Sequence, residues 1–132
     1  MGTKNPNDRN TESKIQLDIC EYIKDAYPNV VFTSESSGIK LTIGQSMVAK
    51  RTRSSRALPD IWVLEPKKGY HGLCIELKKH GEKVYKKNGA VRSNGHLNEQ
   101  EEIQQVLRHK GYMCEFGVGL EEAKRIIDWY MS

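Results

Sequence analysis

Between residues 73 and 78 the chain reads Leu-Cys-Ile-Glu-Leu-Lys, and this alternation constrains the fold more than any other stretch. Successive side chains on a strand point to opposite faces. Leu73, Ile75 and Leu77 therefore share a face that needs a core, while Cys74, Glu76 and Lys78 share the other. A glutamate and a lysine are thus set side by side on rigid backbone. Upstream, 61–64 (Ile-Trp-Val-Leu) reads as a second strand, and a turn holding Pro66, Gly69 and Gly72 separates the two, so a hairpin is expected. Pro59-Asp60 sits at the mouth of the partner strand. If the hairpin pairs as its turn implies, Asp60 comes near Glu76. Two carboxylates that meet this way repel unless a cation lies between them. Mg²⁺, which takes one or two carboxylates plus water and substrate phosphate, is a natural resident.

The rest of the chain supplies helices around that hairpin. Residues 1–10 are polar and are expected to be a disordered lead. Asn10 or Thr11 can cap a helix reaching residue 26, which Tyr27-Pro28-Asn29 ends. A short strand is expected over 30–34, broken by Ser36-Ser37-Gly38, and a long polar-basic stretch follows to Leu58. A Gly/Lys/Asn-rich loop covers 80–95. Asn98, with Glu101 as capping-box partner, is expected to open a helix that Gly111 stops. A strand over 112–118 and a helix over 121–131 close the chain. The order α-β-β-β-α-β-α describes an α/β fold, a mixed sheet flanked by helices, in a single domain over 11–132. On the first helix, Ile15, Ile19 and Ile23 mark the buried stripe, and Glu12 falls on the same stripe. Glu12 is then either a first-turn glutamate that favours the helix dipole or a third acid beside Asp60 and Glu76.

Bulk properties narrow the function classes. No apolar run is long enough to span a bilayer, and the first ten residues lack a secretory apolar stretch, so a cytoplasmic protein with no membrane partner is expected. Cys20, Cys74 and Cys114 are too few and too far apart for a disulfide framework or zinc knuckle, and are expected to be reduced, mostly buried thiols. The net charge of +4 is unevenly spread: residues 36–96 carry +9 and the two flanks together −5. A basic middle suits a polyanion when loops carry the contacts, although a solvated lysine-rich surface gives the same count.

Glu-x-Lys alone is a common triplet. Pro-Asp followed by an apolar strand, a glycine-containing turn and apolar-Glu-x-Lys ending a strand is much rarer, and here the chain resembles the PD-(D/E)XK nucleases. It looks most like the VRR-NUC group, especially its small stand-alone members from phages and bacteria. The resemblance runs from Thr11 to the C-terminus. It matches Glu12 to the first-helix acid, Pro59-Asp60 to the metal-binding aspartate and Glu76-Leu77-Lys78 to the Glu-x-Lys strand. His96 to Gln100 match the helix start that carries the group's glutamine, and Gly111-Tyr112 the glycine before the next strand. Ala57 departs from it, since the group often has glycine two residues before Pro-Asp, and the 80–95 insertion is longer than a minimal member needs.

The resemblance implies a restriction-endonuclease-like fold and a Mg²⁺- or Mn²⁺-dependent deoxyribonuclease. It implies that Asp60, Glu76 and the backbone carbonyl of Leu77, assisted by Glu12, hold the metal. Lys78 is then expected to orient the attacking water and stabilise charge. Gln100, on the helix face of Ile103, Gln104 and Leu107, is expected to hold Lys78 or a water. Because small VRR-NUC proteins resemble Holliday-junction resolvases and tend to be homodimers, a structure-selective dimeric nuclease of a bacterial or phage-infected cell is the sharper expectation. A non-catalytic nucleic-acid-binding module on the same fold and an RNA-directed nuclease are the alternatives.

Two basic runs bracket the expected site: Arg51, Arg53 and Arg56 before it, and Lys83, Lys86, Lys87 and Arg92 after it. Flexible basic loops in these places suit gripping of the DNA backbone. No base-reading motif is present, and His71 and His80 read as surface histidines near the Glu-x-Lys strand. Ile39, Leu41, Ile43, Met47 and Val48 form either a patch for a partner subunit or an extra hairpin over their own sheet.

Overall fold

Thr11 starts the first helix. Its side-chain oxygen accepts the Lys14 backbone N–H at 3.3 Å, and α1 (Glu12–Ala26) buries Ile15, Ile19 and Ile23 as one stripe. The computed structural model describes residues 11–35 and 41–132. The N-terminal lead, the Ser36-Ser37-Gly38 break and Ile39 lie outside the described residues.

Four strands, β1 (Phe32–Ser34), β2 (Ile61–Val63), β3 (Leu73–Lys78) and β4 (Met113–Val118), form one sheet in the order β1-β2-β3-β4. β1 pairs with β2, and β2 with β3, in antiparallel fashion. The β2–β3 connection turns at Lys68 and Gly69, both at positive φ (54° and 85°), and Lys67 and Tyr70 exchange backbone hydrogen bonds around them. Two consecutive left-handed residues are the signature of a primed hairpin turn, whose twist matches that of the strands. β3 and β4 run parallel and are joined through α3 (Gly95–His109). The last element, α4 (Leu120–Met131), follows β4 directly.

The alternation of β3 is realised on both sides. Leu73, Ile75 and Leu77 join Ile61, Val63, the α1 isoleucines and Ala123, Ile127 and Tyr130 of α4 in the main core. Gly117 allows this packing, because a Cβ there would stand 3.0 Å from Ile75 Cγ2 and 3.2 Å from Ala123 Cβ. The opposite face carries Cys74, Glu76 and Lys78, and it is buried too. A smaller apolar cluster of Val84, Leu97 and Phe116 flanks these residues and holds α3 against the sheet. The site side of β3 is thus closed in by protein, which makes its charges costly to leave unpaired.

The α/β mixed sheet flanked by helices is as expected, with three adjustments. The 41–58 stretch holds a helix, α2 (Ile43–Arg51), opened by a capping box between Thr42 and Gln45, and no extra hairpin forms there. α3 begins three residues before Asn98. Its cap is Asn94, whose side chain accepts from the His96 and Leu97 N–H groups, while the Asn98 side chain accepts the Asn94 N–H. Asn98 is therefore the reciprocal half of the cap, and Glu101 instead pairs with Arg108 at 3.0 Å. The 80–95 segment is an ordered arm. Val84 anchors it with 2% exposure, and a Tyr85–Val91 bridge and a turn at Gly89 (φ 86°) fold it back. Gly111 (φ 99°) ends α3 as expected, and no helix among the described residues is long and apolar enough to cross a membrane.

Candidate active site

The hairpin register carries Asp60 to Glu76. Ile61 lies opposite Ile75, and the Asp60 N–H donates to the Ile75 carbonyl at 3.0 Å. The Asp60 carboxylate then reaches over the strand end and accepts the Leu77 N–H at 2.8 Å. Asp60 and Glu76 are both buried, at 8% and 5% exposure, and stand close enough for each carboxyl to act on the other. Burial above all, and then the Asp60 charge, pushes the Glu76 carboxyl up to about 10, against the downward pull of Lys78. Two acids in such contact share a proton when no cation separates them.

α3 supplies the roof. Gln100 Nε2 donates to Glu76 Oε1 at 2.9 Å and lies 3.1 Å from His96 Nε2. Among the described residues Gln100 Oε1 is buried without a partner. Buried acceptors are normally satisfied, so this one marks a place for a donor such as an ordered water. Glu12 stands at the solvent-facing start of α1. Desolvation raises its carboxyl, Lys78 lowers it and Asp60 raises it further, which places Glu12 in the field of the same charges. A cavity of about 240 Å³ joins them, lined by Glu12, Gln16, Arg56, Leu58, Asp60, Glu76, His96 and Gln100. The Lys78 side chain is 3% exposed beside it, with Nζ 4.0 Å from Glu76 Oε1 and 3.9 Å from Glu82 Oε2.

Asp60, Glu76, Lys78, Gln100 and Glu12 are therefore brought together. Leu77 enters through its N–H, its side chain lying in the core. Arg56 reaches the cavity wall but is held by both Glu99 carboxylate oxygens, and Arg53 pairs with Glu35 at 3.0 Å. Arg51 is exposed in the last turn of α2, and Lys83, Lys86, Lys87 and Arg92 are exposed on the arm. His71 packs edge-on to Tyr112 and His80 lies against Gly119, so neither lines the cavity. His96 does, although in the sequence it stands only as the first residue of the helix start that carries Gln100, with no role of its own. Its place four residues before Gln100, on one helix face, is the signal that could have found it. Glu82 carried no such signal, because a turn and not a helix folds it toward Lys78. Cys20, Cys74 and Cys114 are free thiols, the last two buried.

Among the described residues no three His, Cys, Asp or Glu side chains form a ready-made metal cage. The donor set is two buried carboxyls with a third acid at the rim, which suits an ion that keeps water and substrate oxygens in its shell, as Mg²⁺ does. It does not suit a closed zinc site.

No family model and no curated protein matches the sequence. A solved structure described as a "VRR_NUC domain protein" superposes with a TM-score of 0.62 at 20% identity, covering 92% of this chain and 88% of its own. The chain thus has the fold of that VRR_NUC domain protein, a mixed four-stranded sheet flanked by helices.

Proposed function

We propose that this chain is a divalent-metal-dependent nuclease that hydrolyses DNA phosphodiesters. The observation that carries the proposal is the buried Asp60–Glu76 carboxyl pair on the wall of a cavity shared with Glu12 and Gln100. In this reading Asp60, Glu76 and the Leu77 carbonyl hold Mg²⁺ or Mn²⁺, with Glu12 assisting from the rim. When bound, such an ion lowers the pKa of a water and screens the phosphate charge.

The chain's own groups do the remaining work. Lys78 presents a fixed ammonium next to Glu76, where it orients the attacking water and stabilises charge growing on the phosphate. Gln100 holds Glu76 Oε1 in place and offers its buried Oε1 to a water. The exposed bases of the 80–95 arm and Arg51 contact the backbone without reading sequence.

A structure-selective, homodimeric enzyme is the finer form of the proposal. It is supported by the fold likeness, the absence of a base-reading motif in the sequence, and the exposed apolar residues of α2. One assay tests the whole: duplex, flap, single-stranded and four-way-junction DNA, and single-stranded and duplex RNA, are incubated with Mn²⁺, with EDTA, and with Glu76→Ala protein. Cleavage that requires Mn²⁺ and Glu76, and that is fastest on the junction, is expected. Robust cleavage in EDTA, or none on any substrate with any divalent ion, rejects the assignment. Cleavage of RNA in preference to DNA replaces the substrate while keeping the site.

A further inference from the structure

Lys78 carries one of the most confined charges in the molecule, yet it touches neither neighbouring carboxylate closely. Its Nζ stands 4.0 Å from Glu76 and 3.9 Å from Glu82, both beyond hydrogen-bond length. A buried ammonium is drawn onto a single available carboxylate, because an unpaired charge in protein is costly. A position off Glu76 needs another carboxylate pulling on the ammonium, and Glu82 supplies the near one, while Glu12 lies in the same field. Gly81, three residues beyond the last residue of β3, takes φ 81°, and the Glu82 N–H donates to the Lys79 carbonyl at 3.1 Å. This tight turn folds the Glu82 carboxylate back toward Lys78 at the root of the basic arm.

We propose that Glu82 is a positioning residue that holds the Lys78 ammonium between its own carboxylate and the Asp60–Glu76 pair, which keeps one negative charge when it shares a proton, and so leaves Glu76 available to a divalent cation. The inference rests on the metal site proposed above. Without Glu82, Lys78 moves onto Glu76 and competes with the ion for the same oxygens. The basic arm and the metal site are then coupled through one side chain.

Isothermal titration of Mn²⁺ into the intact chain, without nucleic acid, tests this in the unmodified protein, Glu76→Gln, Glu82→Gln, Glu82→Asp, Lys78→Met and the Glu82→Gln/Lys78→Met pair. Glutamine is nearly isosteric at a part-exposed position, and methionine retains the buried stem of Lys78, so thermal melts serve only as controls. Glu82→Gln is expected to weaken Mn²⁺ binding by about tenfold, the size of coupling found between residues of one charge network. Glu82→Asp is expected to restore most of it. Glu82→Gln should add no loss once Lys78 is methionine. An equal loss in both backgrounds, or no loss in either, overturns the positioning role. If Glu76→Gln abolishes uptake while Glu82→Gln leaves it intact, the positioning role alone fails. If the unmodified chain takes up no Mn²⁺, the metal site itself fails and this inference with it.

Discussion

The carboxylate of Asp60 accepts the backbone N–H of Leu77 at 2.8 Å, so the acid that faces Glu76 also ties the end of β2 to β3. Its own N–H and carbonyl are used as well, by Ile75 and by the Glu35 N–H. Asp60 therefore has a structural duty separate from its charge, and the two can be divided by substitution. Asp60→Asn keeps an acceptor for Leu77 and removes the repulsion with Glu76. It is expected to lose cleavage while its melting temperature holds or rises. Asp60→Ala leaves a buried N–H unpaired and should cost about 1–3 kcal/mol of stability. Melting curves beside a cleavage assay check both. Equal stabilities for the two variants would show that the Leu77 contact contributes nothing.

Stability of the metal-free protein should fall as pH rises. The folded state keeps a proton on Glu76 up to about 10, whereas the unfolded chain releases it near the ordinary value of 4.5. Between those values the folded form binds more protons, so the contribution is full below 4.5 and is lost progressively toward 10. In EDTA the melting temperature should drop between about pH 6 and about pH 9. Glu76→Gln should flatten that slope, and Mn²⁺ should reverse it by replacing the proton. A slope unchanged by Glu76→Gln would mean that another group carries the dependence.

Salt dependence of DNA binding should separate the two basic runs. Arg53 and Arg56 already face Glu35 and Glu99, so each presents little net charge to a phosphate. Lys86 and Lys87 sit at the exposed turn of the arm. The Lys86→Ala/Lys87→Ala pair is expected to reduce the slope of log affinity against log salt by about one to two, roughly 0.9 per lost phosphate contact. Arg53→Ala/Arg56→Ala should change it less. Fluorescence anisotropy over a salt series measures both, and the reverse ranking would place the backbone grip at the α2 end.

What the sequence predicts correctly and what it misses divide along a physical line. Asp60, Glu76 and Lys78 are legible because two strands with period two and a short turn leave one register, and that register brings them together. Gln100 comes from the resemblance at the start of α3, and helical spacing then puts it on the inward face with Gln104. The Asn94 cap is not legible, since Asn94 and Asn98 are four apart and either can accept from a first-turn N–H. α2 is hidden because none of its residues is buried, so it has no apolar stripe to read. Glu82 is hidden because a turn, with no periodicity, delivers it.

α2 also gives the last prediction, that the protein is a dimer in solution through this helix. It has nine residues, and an isolated helix shorter than about 12–15 residues is marginal in water. Tertiary packing normally supplies the difference, yet here no residue of the helix is buried, and Ile43, Met47 and Val48 are 84%, 59% and 61% exposed. The Thr42–Gln45 capping box and the basic last turn of Lys50 and Arg51 help, but each contributes only on the order of 1 kcal/mol. A second copy packing on the same face would cover the apolar residues and set two metal sites at a fixed separation, which two symmetric cuts in a junction require. Light scattering at micromolar concentration should return twice the 15.1 kDa of one chain. Ile43→Glu/Met47→Glu should return a single chain, with junction cleavage lost and Mn²⁺ binding kept. A mass of 15.1 kDa for the unmodified protein rejects the dimer. A dimer that survives the double substitution places the interface elsewhere and leaves α2 to another partner.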